Sequence, residues 1–428
     1  MKILVTGATG YIASKLIPQL LDRGHSVRVV ARKPHLLQPR SWSNQVEIIQ
    51  ADVMDFSSLL PALKDIHTAY YLIHNMSSGH GYTEIELHGA RNFARAAAET
   101  GVQHIIYLGG LADPEQHIAP HMRSRIETGV TLRQGRIPVT EFRAGVIVGS
   151  GSISFEMIRF MTELFPIIPG PRMLKSKSQP IAVQNVVDYL LAALENPKGR
   201  GKVFEIGGPD ISTYRELMLK YAKLRGYKRS FLLLPYVPIW FMAFGIDLMT
   251  PVPYPIAYAL VGGLSGDSVV LHADAGETFP EVKLIDFDSA ASEALMRLHP
   301  SNIERVWEDR KAGVKNLKHE GFFIYQKCVE TKAALKDINF VLQNTMKKNE
   351  ANLEKKLLLK TKSHLFFDEW MEWQFEPDGR TNLFTQTVYL APHGPLGFLC
   401  WYGLKLIYVF KFKKLLHTIE KVHQKLSL

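Results

Sequence analysis

Two groups of residues in this chain are of types and spacings that could do chemistry, and the first lies within the opening thirteen residues. Thr6-Gly7-Ala8-Thr9-Gly10-Tyr11-Ile12-Ala13 follows a short apolar run and opens a stretch with helical spacing. Gly7 permits a sharp turn after a strand, Gly10 presents no side chain to an approaching pyrophosphate, and Ala13 is small enough for a helix to pack on a sheet. Phosphates would then sit at a helix N-terminus, where N–H groups and the dipole favour negative charge. Where a second strand should end, Ala31 stands in place of the carboxylate that would bond a ribose 2′-hydroxyl, and Arg32 and Lys33 follow. Two cations and no acid suit a 2′-phosphate, so the pattern predicts NADP(H) in preference to NAD(H). The alternative is that both cations are simply exposed past a strand end. Asp52 and Val53, after a third strand, would hold an adenine amino group and cover the ring, whereas Asp55 reads equally well as a helix cap.

The second group is His121 with Arg125, four residues apart and so on one face of a helix. An imidazole can exchange a proton near neutral pH. An arginine can hold ribose or phosphate oxygens but cannot release a proton. The pair is therefore a candidate proton donor and its companion, against the alternatives of a structural histidine and a surface ion pair. Ser124 and Tyr107 are further polar candidates. Tyr82, Glu84 and Glu86 either face a substrate or merely begin an exposed helix.

Such residues need a scaffold that brings them together. Apolar runs at Lys2–Val5, Ser26–Ala31, Val46–Gln50, Ala69–Ile73, Ile105–Leu108 and Pro138–Val148 read as strands. Helical spacing at Tyr11–Asp22, Phe56–Leu63 and Leu87–Thr100 falls between them. Continuous apolar strands separated by helices predict a doubly wound parallel sheet of Rossmann type. Residues of about 150–300 then form a substrate lobe. Within it, Phe231–Leu264 is apolar but broken by five prolines and Asp247, which suits a cavity lining better than a membrane span. Ser301–Val314 reads as a charged connecting helix, and residues 315–428 as a second, α+β domain. There, Phe322–Thr331, Leu365–Phe375 and Asn382–Leu390 are strand-like, with a turn at Glu376–Gly379. Phe340–Leu359 reads as lysine-rich helix or loop, and Leu396–Val422 as a long closing helix.

The opening turn, Ala51-Asp52-Val53, Gly89–Ala97 and Ile105–Leu108 resemble the extended and atypical short-chain dehydrogenase/reductases, and among them the NmrA-like group. Tyr70–His74, Gly109-Gly110-Leu111, His121–Arg125 and Phe204–Pro209 are similar to one bacterial subgroup, which joins an NAD(P)-binding domain to a C-terminal domain of START or polyketide-cyclase type. The resemblance implies that Leu72, Ile73, Tyr107 and Ala144 also lie at the cofactor. It also implies an aromatic set in the C-terminal domain (Trp370, Trp373, Phe375, Phe384, Trp401, Tyr402, Tyr408 and Phe410) that lines a ligand cavity or packs as core. The chain departs from the wider family where a Ser and a Tyr-x-x-x-Lys would carry carbonyl reduction: Gly109-Gly110 and His121-x-x-x-Arg125 stand there instead. The resemblance thus implies an oxidoreductase acting on an apolar carbonyl, enone or quinone-like molecule, with a non-catalytic NADP(H) sensor or assembly protein as the alternative.

The bulk properties agree. The 428 residues are 46% apolar, enough for a sizeable core, and two cysteines cannot build a disulfide framework or a four-cysteine zinc site. No spacing among the 16 histidines matches a metal motif, and no nucleic-acid recognition element is present. The apolar start has no basic flank of a secretory signal, so a cytoplasmic location is expected. The net charge of +10 is concentrated in residues 315–428, which hold 18 basic and 11 acidic residues. Gly394–Phe412, apolar and flanked by lysines, predicts an amphipathic helix with peripheral membrane contact.

Overall fold

The computed structural model describes every residue except 39, 75–81, 114, 117, 251, 302–320, 347–352, 354–355, 379–380 and 427–428. The chain begins with six strands that alternate with helices: β1 (Lys2–Val5), β2 (Ser26–Ala31), β3 (Glu47–Gln50), β4 (Thr68–Tyr71), β5 (His104–Gly110) and β6 (Val139–Ala144). The first four helices are α1 (Tyr11–Asp22), α2 (Phe56–Leu63), α3 (Tyr82–Glu99) and α4 (Pro120–Arg133). Next come β7 (Ile147–Val148), β8 (Ile167–Pro171), β9 (Lys177–Ser178), β10 (Ile181–Ala182), β11 (Val203–Ile206), β12 (Ser212–Thr213) and β13 (Ser230–Leu234). Seven strands form one parallel sheet in the order β11-β6-β5-β4-β1-β2-β3. The chain runs outward from β1 in one direction, then returns to β4 and runs the other way. A crevice therefore opens beyond the carboxyl ends of β1 and β4.

The central strands are apolar throughout because both faces are covered. Ile3, Leu4 and Val5 have no exposed surface. On one side α1 presents Ala13, Leu16, Ile17 and Leu20 to a core shared with Val29, Phe142 and α6 (Val183–Glu195). On the other, Leu59, Phe93, Ala97 and Leu132 pack with Leu4 and Ile105. Burying each large side chain contributes roughly 1.5–3 kcal/mol.

The remaining helices of the lobe are α5 (Ile153–Leu164), α7 (Tyr214–Leu224), α8 (Ile239–Met249), α9 (Tyr254–Gly263), α10 (Asp274–Thr278) and α11 (Phe287–Met296). The proline-broken stretch expected as cavity lining is β13 followed by two short helices. Pro238 is the N-cap of α8, and Pro253 and Pro255 start α9, so the prolines sit where helices begin. Among the described residues no helix is long and apolar enough to cross a membrane.

The C-terminal part is an α+β unit. β14 (Phe323–Thr331), β15 (Lys356–His364), β16 (Phe367–Asp378) and β17 (Thr381–Pro392) pair antiparallel in the order β14-β17-β16-β15, with α12 (Leu335–Met346) and the 33-residue α13 (Gly394–Leu426). The segment expected as lysine-rich helix or loop contains the end of α12 and half of β15, whose Leu357–Leu359 run pairs with Met371–Trp373. The unit does not stand apart from the lobe. Phe160, Leu164, Ile246 and Val261 share a core with Phe323, Phe398, Trp401 and Tyr408, and Arg159 Nη2 donates to the Gly321 carbonyl at 2.7 Å. The expected connecting helix at 301–314 and the boundary at 315 lie outside the described residues, except for Ser301.

Candidate functional site

The glycine turn owes its shape to two contacts. Gly7 has a φ of +66°, and a Cβ there would lie 2.5 Å from the Leu72 carbonyl oxygen, so only glycine lets β1 turn this close to β4. The Gly10 amide donates to the Gly7 carbonyl at 2.8 Å and closes the turn. Thr6 ties the two strand ends together: its Oγ1 donates to the Tyr70 carbonyl at 3.0 Å and accepts from the Leu72 amide at 3.1 Å. Gly10 is the N-cap of α1 and supplies no capping side chain, which leaves the start of the helix open to an anion.

A single cavity of about 550 Å³ begins at this turn. Gly7, Gly10, Tyr11, Ile12, Leu72, Ile73, His121, Arg125 and Ala144 all line it, so nine residues predicted from sequence converge. Ala8 and Thr9 complete the turn without lining the cavity. Arg32 and Lys33 are exposed just past the end of β2. Arg40, which the sequence pattern does not single out, is buried and donates from Nη2 to the Thr9 carbonyl at 3.2 Å. Asp52 Oδ1 accepts from the Met54 amide at 3.0 Å, which fixes the turn after β3, while Asp55 caps α2 by accepting from Ser57. Val53 packs against α3 where Gly89 leaves room for it, and its carbonyl accepts from Asn92 Nδ2 at 2.9 Å.

Tyr107 is a correction. It is buried among Tyr71 and its neighbours on the α4 side of the sheet, its hydroxyl donates to the Arg125 carbonyl at 2.8 Å, and burial pushes its pKa up to about 12. Successive side chains on β5 take opposite faces, and Leu108 lines the cavity where Tyr107 does not.

The chemistry end of the cavity is built on α4, which buries the polar residues His121, Ser124 and Thr128 ahead of Gly129 and Leu132. Gly109 and Gly110 stand where a serine would be expected; a Cβ at Gly109 would meet Glu141 Oε1 and Tyr107 Cε1 at 3.2 Å, and Gly110 lies directly under α4. A Cβ at Gly110 would meet Met122 Sδ at 2.8 Å and Arg125 Cδ at 3.3 Å. The Arg125 guanidinium donates from Nη2 to the Leu108 carbonyl at 3.1 Å and to the Gly109 carbonyl at 2.9 Å, bracing the end of β5. Arg125 lines the cavity, but this nitrogen is engaged with the protein's own backbone.

His121 is 6% exposed and opens onto the cavity opposite Gly263 of α9, where a Cβ would come within 3.0 Å of the imidazole Cε1. Its pKa is lowered to about 4, by burial first and then by the nearby Arg125 and His74, with Glu86 opposing them. His121 is therefore neutral at pH 7 and carries no spare proton. Next to it, buried Glu86 binds His74 Nδ1 at 3.0 Å and accepts from the Ser124 hydroxyl. His74 lines the cavity, and its Nε2 is buried with no hydrogen-bond partner among the described residues. Burial also lowers the His74 pKa, against the raising effect of Glu86. Glu86 was legible only as one of three residues at a helix start. Glu84, two residues away, is exposed, and nothing in their spacing separates the two.

Beyond His121 the cavity becomes apolar and rich in methionine. Met122, Met157, Met161, Met218, Met242 and Met249 line it, with Phe165, Leu234, Phe241, Ile246 and Leu264. Methionine adapts to irregular apolar ligands. The C-terminal aromatics do not line it. Trp370, Trp373, Phe375, Phe384, Trp401 and Tyr408 are buried in packed clusters, whereas Tyr402 and Phe410 are exposed. Among the described residues no cluster of histidine, cysteine and carboxylate side chains could hold a metal.

The cavity fits a nicotinamide dinucleotide. The turn accepts a pyrophosphate, and the unpartnered His74 Nε2 and the Ala144–Gly145 backbone lie farther along the same lining. The fold is shared with known proteins. Triphenylmethane reductase from Citrobacter sp. in complex with NADP(H) superposes with a TM-score of 0.56 at 20% identity, over 68% of this chain and 99% of that one. The NADPH-dependent quinone oxidoreductase of Escherichia coli with NADPH superposes at 0.55, with 20% identity and the same coverage. In sequence, a mitochondrial protein of Arabidopsis thaliana, NADH dehydrogenase [ubiquinone] 1 alpha subcomplex subunit 9, is 24% identical over 297 residues, 66% of this chain and 73% of that protein. Cinnamoyl-CoA reductase 1 of Oryza sativa subsp. japonica is 32% identical over 111 residues, 24% of this chain and a third of that enzyme's length. The profile of the NmrA-like family matches residues 1–231, more than half of the chain, and the protein therefore belongs to the NmrA-like family of NAD(P)-binding proteins.

Proposed function

We propose that this protein is an NADP(H)-dependent reductase of an apolar, quinone-like, enone or carbonyl acceptor. The observation that carries the reading is one continuous cavity running from the glycine turn, past a buried neutral histidine, into a methionine-lined lobe. A reduced nicotinamide bound there supplies a hydride to the acceptor carbon. Gly7, Gly10 and the start of α1 hold the pyrophosphate, Leu72, Ile73 and Ala144 border the nicotinamide end, and Arg32 and Lys33 receive the 2′-phosphate. His121, being neutral, acts as an N–H donor that polarises the acceptor oxygen, rather than as a stored acid. The negative charge that develops on that oxygen raises the affinity of the imidazole for a proton at the moment of transfer, and solvent supplies the proton. The apolar lobe admits an extended substrate.

A second reading, NADP(H) binding without turnover, draws on Gly109-Gly110 and on the engagement of Arg125 with backbone carbonyls. The two readings separate in one experiment: NADPH and NADH affinities of the purified protein, then NADPH oxidation against quinones, enones and aldehydes. Turnover that falls in His121→Phe with unchanged NADPH affinity supports the reductase. Tight NADPH binding with no turnover on any acceptor supports the sensor. The START-like character of the C-terminal unit remains part of this proposal, with the unit acting as an outer wall of the lobe.

A further inference from the structure

α8 has two apolar faces. Met242, Gly245, Ile246 and Met249 line the large cavity. On the other side Trp240, Phe244 and Leu248, spaced by four, are 59%, 55% and 58% exposed. The preceding residue Tyr236 and the nearby Tyr258 extend this surface, and both line a second cavity of about 410 Å³ that shares Pro171 and Val237 with the large one. α13 continues the patch: the Tyr402 hydroxyl donates to the Leu248 carbonyl, and Leu399, Leu406 and Phe410 are exposed along one side of the helix. Soluble proteins rarely leave a contiguous apolar surface of this kind without an occupant.

Charge identifies the occupant. Residues 231–264 contain a single charged side chain, Asp247, which is turned to accept the Tyr254 amide at 3.0 Å. From Gly394 to Ile419 α13 carries Lys405, Lys411, Lys413 and Lys414 and no acid, and the last three are exposed immediately beyond Phe410. A surface of tryptophan, tyrosine and phenylalanine bordered by lysines matches the interface of an anionic bilayer, whose headgroups attract the cations while the aromatic rings enter. A second copy of the chain fits less well, because a two-fold pairing would bring two basic faces together.

We infer that α8 and the apolar half of α13 dock the protein on an anionic lipid surface, and that the acceptor enters the cavity from the bilayer past α8. The entry route rests on the reductase reading, whereas the docking does not. Phe241, which is 56% exposed and also lines the cavity, stands between the two compartments.

The test uses the full chain and vesicles of phosphatidylcholine with or without phosphatidylglycerol, with binding read by sedimentation and far-UV circular dichroism as the control of folding. The wild type is expected to sediment with phosphatidylglycerol vesicles at low salt and to be released as salt rises. The triple variant Lys411→Glu/Lys413→Glu/Lys414→Glu is expected to lose at least about tenfold in affinity for anionic vesicles, given the weight of each lysine near such a surface. The variant Trp240→Ser/Phe244→Ser is expected to weaken binding to both compositions. A folded protein that stays in the supernatant at low salt, or binding unmoved by either variant, overturns the docking. A dimer in sedimentation velocity that the Trp240→Ser/Phe244→Ser variant dissolves also overturns it, by assigning the face to a second copy. Docking with full strength but no faster reduction of a vesicle-dissolved quinone than of a water-soluble one overturns the entry route alone.

Discussion

The two ends of the cavity are made of different material. At the glycine turn the site is backbone, Gly7, Gly10 and the N-terminus of α1, and Gly7 is required by a positive φ and a close approach to the Leu72 carbonyl that no other residue satisfies. At the α4 end the site is side chains, His121 from α4, His74 from beyond β4 and Glu86 from α3, brought together from three elements and tuned by burial. A backbone site is specified by a few adjacent residues. A side-chain site depends on how distant helices pack, and its groups take their properties from that packing.

This contrast makes the largest predicted effect fall at the turn. Gly7→Val forces a branched side chain into a φ of +66° and against the Leu72 carbonyl. Strain of roughly 1–3 kcal/mol together with the displaced turn should abolish NADPH binding measured by calorimetry. Near-native affinity in a folded Gly7→Val protein would show that the turn is not the binding element. At the other end, His121→Phe should lower kcat about 100-fold, a typical loss for one preorganised donor, while the NADPH dissociation constant stays within about twofold. Loss of NADPH affinity instead would make His121 a binding residue and blur the contrast. Replacing Arg32 and Lys33 by serine should weaken NADPH binding about tenfold or more, from two charge-assisted contacts, and leave NADH unchanged.

The smallest effects concern pH. A His121 that is neutral across the range leaves kcat flat from about pH 5 to 8 as far as this group is concerned, whereas a stored imidazolium of ordinary pKa would give a rate that falls above about pH 6.5. Stability should show the same burial. His121 and His104 both have pKa values lowered from 6.5 to about 4, by burial first. The unfolded chain therefore binds more protons than the folded one between those values. Stability is full above about pH 6.5 and is lost as pH falls through about 4, by about 3 kcal/mol per histidine. Denaturant melts of His104→Phe and the parent at pH 7 and pH 5 should converge toward lower pH. A parallel offset at both would contradict it.

The parallel sheet was legible because its strands are buried on both faces and read as mostly apolar runs, such as Ile3–Val5 and Val27–Ala31, the second interrupted by Arg28. The turn was legible for the reason given above. The extent of α4 was not, because it buries His121, Ser124, Thr128 and Gly129 and only one large apolar side chain, Leu132. Tyr107 does not line the cavity whereas its neighbour Leu108 does, since successive strand residues take opposite faces and the sequence does not say which face meets the crevice. Glu86 and His74 had no local signal, since their meaning lies in a contact between α3 and the end of β4. β15 was hidden by lysines at Lys356, Lys360 and Lys362, which border an otherwise apolar run on an edge strand.

One measurement bears most directly on the central claim, that a single cavity joins NADP(H) to an apolar acceptor. Gly245 lies on α8 in the lobe, away from the glycine turn, and a Cβ there meets only Met249 Cε at 3.5 Å, so Gly245→Leu can extend into the cavity without rebuilding the helix. Steady-state oxidation of NADPH by a series of quinones of increasing size should show KM rising in Gly245→Leu, most for the largest acceptors, with the NADPH dissociation constant unchanged. Equal kinetics in the variant and the parent for every acceptor, or no oxidation of NADPH by any of them, would contradict the account.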